Sequence, residues 1–135
     1  MLDWWRRLFP RKTVLGGALR TGRQKTYSAE SGYVYQYLLS SFRQHRRGGE
    51  AVHEYTFEVS GGRWPAALVS IVLRASVLRQ WETRHGRELT ASERYAIATI
   101  TLKRQLDASE TPKSVPSVVA PDVAGIEAVS SLLGF

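Results

Sequence analysis

The chain has 135 residues, 43% of them hydrophobic, with no cysteine and a formal net charge of +7. That length suits one domain with a single core, and the lack of cysteine excludes a disulfide framework, a thiolate metal site and a Cys nucleophile. No run approaches the roughly 18 consecutive apolar residues of a transmembrane helix, and the N-terminus lacks the apolar core and cleavage site of a secretory signal. The protein is therefore expected in the cytoplasm or at the cytoplasmic face of a membrane, lying on that surface rather than crossing it. Residues 1–28 hold several arginines and a single acid, so organelle import through a transit peptide stays an alternative.

The first nine residues divide cleanly on a helical wheel. Leu2, Trp4, Trp5, Leu8 and Phe9 share one sector of roughly 160°, while Asp3, Arg6 and Arg7 occupy the other side. Indole and guanidinium suit a boundary between an apolar phase and an anionic one. Trp4, Trp5, Arg6, Arg7, Leu8 and Phe9 are therefore expected to dock on a membrane or a partner protein. Pro10 stops this helix, and residues 10–31 read as a basic linker or arm with scattered glycines.

Charge is unevenly spread. Residues 1–47 carry ten basic side chains and two acids, a net +8, whereas residues 48–135 carry nine and ten, a net −1. Such asymmetry favours an anionic partner. Arg11, Lys12, Arg20, Arg23, Lys25, Arg46 and Arg47 are the expected contacts.

Residues 32–107 are expected to form the folded body. Tyr33, Tyr35, Tyr37 and Leu39 alternate as a strand, and Arg46-Arg47-Gly48-Gly49-Glu50 supplies a turn. Glu54-Tyr-Thr-Phe-Glu-Val59 is the cleanest strand, with Tyr55, Phe57 and Val59 on one face and Glu54, Thr56 and Glu58 on a wet one. After Ser60-Gly61-Gly62, the almost wholly apolar run 66–73 reads as a third strand, either central or covered on both sides. Two helices follow. Residues 76–85 take Ser76 as N-cap and end at Gly86. The next helix opens with Thr90-Ala-Ser-Glu93, a capping box, and carries an apolar stripe to Leu106. The expected fold class is α+β: a small three-stranded antiparallel meander, then two helices packed on one sheet face, with extended N- and C-terminal tails.

Residues 108–121 contain three prolines among Ser, Thr and Val and read as an extended linker without a core of its own. Asp122 can cap a short amphipathic helix over 122–135, whose Ile126, Val129, Leu132, Leu133 and Phe135 are expected to dock on a partner, with folding back onto the chain's own helices as the alternative.

The catalytic residue types fall into no recognisable constellation. His45, His53 and His85 show no metal-ligand spacing, and His85 beside Gly86 is expected to meet its helix's terminal carbonyls. Glu54 and Glu58 share a solvated strand face, and the glycines at 16, 17, 22, 61 and 62 follow no phosphate-loop pattern. The sequence thus predicts a non-enzymatic accessory or scaffold subunit, without catalytic residues, cofactor or metal, whose partners are other protein subunits and an anionic membrane surface. Binding of nucleic acid through the basic arm, in a ribosome-associated or packaging protein, is the alternative. Tyr33, Tyr35 and Tyr37 would serve it as a stacking platform unless they pack beneath the helices.

Overall fold

The computed structural model describes residues 23–135. A five-stranded mixed sheet carries three helices on one face, which extends the expected three-stranded meander at both edges. Strand β1 is Lys25–Ser28, β2 Val34–Arg47, β3 Glu50–Gly61 and β4 Trp64–Arg74, each antiparallel to the next. Helix α1, Ala75–His85, follows β4 directly, and α2 spans Ala91–Ala108. A 3₁₀ turn at Pro112–Ser114 leads to β5, Val118–Val119, which lies parallel to β4. Parallel pairing requires a crossover, here supplied by α1 and α2. Helix α3, Val123–Leu133, closes the chain.

Hairpin geometry sets the register. Gly48 and Gly49 both have positive φ, 61° and 82°, and form the two-residue loop between Arg47 and its partner Glu50. Only residues without a Cβ penalty adopt such a pair of angles easily, and the resulting turn matches the twist of the flanking strands. Further along β2, the pairing passes from Leu39–Phe57 to Ser41–Thr56, leaving Ser40 as an extra residue. Such a bulge inverts the side-chain alternation beyond it. Before it, Tyr35, Tyr37 and Leu39 face the helices and are buried; after it, Phe42 packs on Tyr55, with ring centres 4.7 Å apart.

The core lies between the sheet and the helices. Strand residues Tyr35, Tyr37, Phe57, Val59, Val69 and Ile71 meet Trp81 of α1, Ile97, Leu102 and Leu106 of α2, and Ile126 and Val129 of α3. The tyrosines of β2 are thus core residues, and the stacking platform the nucleic-acid alternative needed does not exist on this strand.

Several expectations are corrected. The folded body reaches back to β1 and forward through α3, because a three-stranded sheet and two helices leave apolar surface that these segments cover. Residues 108–121 are not a bare linker: Val115 and Val119 pack against the core. The strand over 66–73 begins at Trp64, and its first half is exposed, because β5 flanks it only at Ser70 and Ile71. Ser76 does not cap α1. The cap residue is Arg74, with no side-chain bond, and the Ser76 amide instead donates to Glu50 Oε1 at 2.9 Å.

The remaining helix ends follow local chemistry. Thr90 and Glu93 form the full capping box, Asp122 Oδ1 accepts from the Gly125 amide at 2.9 Å, and Gly86 ends α1 in the left-handed region at φ 67°. Each satisfies orphan amides or carbonyls within one turn of itself.

Candidate docking surface

The face of the sheet opposite the helices carries an ionic corner and, further along the strands, exposed apolar side chains. Beyond the Ser40 bulge, Arg43, His45 and Arg47 alternate onto this face, across from Glu54, Val52 and Glu50 of β3, while Arg74 of β4 lies beside Val52. Glu54 is only 7% exposed. Its Oε1 lies 2.6 Å from His45 Nε2, 3.5 Å from Arg47 Nη1 and 3.7 Å from Arg43 Nη2. Burial alone would push the carboxyl up. The His45 hydrogen bond, the Arg43 charge and a hydrogen bond from Ser70 outweigh it, so Glu54 sits below the ordinary carboxylate range. The other ring nitrogen of His45, Nδ1, lies 3.1 Å from the Arg46 carbonyl. Both nitrogens thus face acceptors. Three guanidiniums, of Arg43, Arg47 and Arg74, against the carboxylates of Glu54 and Glu50 leave this corner net positive.

The second patch is apolar. Among the described residues, four large hydrophobic side chains are markedly exposed: Val34, Leu68, Val118 and Leu132. Their strand partners put the first three on the helix-free face, Val34 opposite Ser28, Leu68 opposite Glu58 and Val118 beside Ser70. Leu68 is 53% exposed. Leu68 and Val118 are neighbours across the β4–β5 edge, whereas Val34 stands apart at the start of β2; adjoining apolar side chains on a face that no described helix covers mark an interaction surface.

The expected contact residues fare differently. Arg47 joins the Glu54 cluster, but Arg46 is directed to the other face by strand alternation and donates to the Gly49 carbonyl. Lys25 pairs with Tyr37 and so shares its face rather than that of Arg47, while Arg23 precedes β1. Of the C-terminal residues, Ile126 and Val129 are buried, the former completely, with Leu133 and Phe135 packed against the same core. The expectation that these four dock on a partner is corrected: they cover the molecule's own α1 and α2. Leu132 alone projects, 71% exposed. Trp4, Trp5, Arg6, Arg7, Leu8, Phe9, Arg11, Lys12 and Arg20 lie outside the described residues.

His85 departs from its expected role. Its ring stacks on Trp81 with centres 3.9 Å apart, and Nε2 lies 2.9 Å from Glu127 Oε1, so it joins α1 to α3 rather than meeting helix carbonyls. Arg43, His45 and Glu54 were missed as a group. The available signal was Arg43, His45 and Arg47 at a spacing of two, one face of a strand, but it requires β2 to run on to residue 47. Among the described residues, no group of three or more His, Asp and Glu is placed to hold a metal ion, and no helix is long and apolar enough to cross a membrane. No family model matches the sequence, and no curated protein or solved structure is significantly similar to the chain.

Proposed function

We propose that this protein is a non-enzymatic docking subunit of a larger assembly, and that its helix-free sheet face receives an acidic partner protein. The carrying observation is that Leu68 and Val118, neighbours across the β4–β5 edge, are exposed on the same helix-free face as Arg43 and Arg47. Apolar residues supply the area, and the excess of guanidinium steers and orients a carboxylate-bearing surface. Nucleic acid is disfavoured on this face, because the sheet aromatics turn to the helices and leave no stacking surface there. The N-terminal nonapeptide would add a second attachment, to a membrane or to the same assembly.

The test is affinity purification of the full chain from its native cells across a salt series. The wild type is compared with Leu68→Asp/Val118→Asp and with Arg43→Glu/Arg47→Glu. A stoichiometric protein partner should be retained by the wild type and lost by both pairs while each variant still unfolds cooperatively, the arginine pair at a lower midpoint because it removes two partners of Glu54. Partner recovery unaffected by either pair overturns the reading. So does tight binding to anionic liposomes or nucleic acid that the arginine pair abolishes.

A further inference from the structure

Where β5 stops, the sheet opens. Beyond Ser70, whose amide donates to the Ser117 carbonyl at 2.9 Å, the chain at residues 112–117 diverges from β4 and leaves a slot of about 300 Å³. One wall is β4 from Trp64 to Val69; the other is Pro112, Lys113 and Val115, with Tyr35 and Gly61 also lining the space. Gly61 is where the floor comes closest, since a Cβ there would meet the Tyr35 ring and Pro112 Cγ at 3.3 Å. The volume lies at the small end of ligand pockets.

Three donors border this slot, beside the backbone carbonyl that the open edge presents at Leu68. Because the Ser70 amide points to β5, strand alternation turns the Leu68 N–H to the same open edge, with no ladder partner among the described residues. The Tyr35 hydroxyl is buried in a residue 1% exposed and has no hydrogen-bond partner among the described residues, a state that normally costs free energy. Among the described residues Lys113 is the single charged one lining the slot, its Nζ 5.0 Å from the centre of the Trp64 ring. The ammonium, the phenol and the Leu68 amide can each donate, and among the described residues no carboxylate lines the space to compete for them.

We infer that the slot between β4 and residues 112–117 binds a small amphipathic carboxylate, its apolar body against Trp64 and Val115 and its anionic head on Lys113, Tyr35 and the Leu68 amide. An added peptide strand fits less well. The pairing changes from Val59–Ala67 to Gly61–Trp64, so β4 is bulged around Pro65, and bulge and proline together blunt an edge. This site is independent of the docking reading and shares only Leu68 with that face.

The test is titration of the ¹⁵N-labelled full chain with 3-phenylpropionate, followed by amide shifts, beside the neutral 3-phenylpropanamide. Saturable shifts centred on Gly61, Leu68 and Ser117 are expected below about 10 mM, an affinity in keeping with so small a ligand. Lys113→Gln and Tyr35→Phe should each weaken binding by roughly three- to tenfold, and Ala67→Leu, at an exposed lining position, should abolish it by filling the slot. No saturable shift, equal binding of the amide, or indifference to all three substitutions overturns the inference. Wild-type-like spectra of each free variant show that its fold is kept, so a variant that unfolds leaves the decision to the other two and to the ligand pair.

Discussion

Ser40 decides which side chains meet, because one extra residue in β2 turns Arg43, His45 and Arg47 from the helix side to the open face. Deleting Ser40 should drive these cations against the helices and abolish cooperative unfolding, as read by near-ultraviolet circular dichroism and urea denaturation. Glu54 carries a pH dependence. Its carboxylate is favoured in the folded state, so the stabilisation is complete above the ordinary value of 4.5 and disappears as pH falls through the lowered folded value. Urea midpoints between pH 7 and pH 3 should therefore fall in the wild type and vary less in Glu54→Gln. At pH 7 that substitution should cost about 2 kcal/mol through the weakened charge-assisted bonds. Trp81 is completely buried, and its indole donates to Ser130 Oγ at 2.9 Å. Ser130→Ala leaves that N–H unsatisfied and should lower stability by about 1–3 kcal/mol, measured by thermal or urea unfolding.

At the scale of elements, the caps that lay open to reading were those made within one turn. Thr90 with Glu93, Asp122 with Gly125 and the left-handed Gly86 each act on neighbours three or four residues away. The start of α1 was closed to such reading, because its amide partner is Glu50, 26 residues earlier and on another strand. Strand β5 was equally hidden: two valines in a stretch rich in proline and serine become a strand only because β4 offers an edge at Ser70 and Ile71. Helix α3 shows the same dependence. Its amphipathic pattern was evident, but the pattern does not say whether the apolar side meets its own domain or another. Since Ile126 is fully buried between the helices and sheet, Ile126→Ala should cost about 2–5 kcal/mol in urea unfolding. A partner-docking residue would leave the isolated chain's stability nearly unchanged.

For the whole molecule, the helices take one face of the sheet and leave the other with a cationic half and an apolar half. Long-range attraction between such a face and an acidic partner is screened over about 8–10 Å at physiological ionic strength. Association should therefore slow as salt rises from about 50 to 300 mM, while dissociation, governed by the apolar centre, changes less. Stopped-flow or surface-based kinetics with the recovered partner would read this. Arg43→Glu/Arg47→Glu should remove most of the salt dependence of the on-rate, and Leu68→Asp should act mainly on the off-rate.

Composition, alternation and local caps determined, from the residues alone, an α+β body without cysteine chemistry, a Tyr35–Tyr37–Leu39 row on one strand face, the Thr90 and Asp122 helix starts and a basic N-terminal third. These are short-range properties, each set by neighbours within a few positions. Tertiary structure decided the rest: the extra strands β1 and β5, the return of α3 to its own core, the gathering of Arg43, His45 and Arg47 around Glu54, and the slot beside Trp64. Each depends on which distant segment completes a sheet edge or covers an apolar face, and on a bulge whose position follows from pairing with β3. A residue's own neighbours in sequence carry no record of those partners.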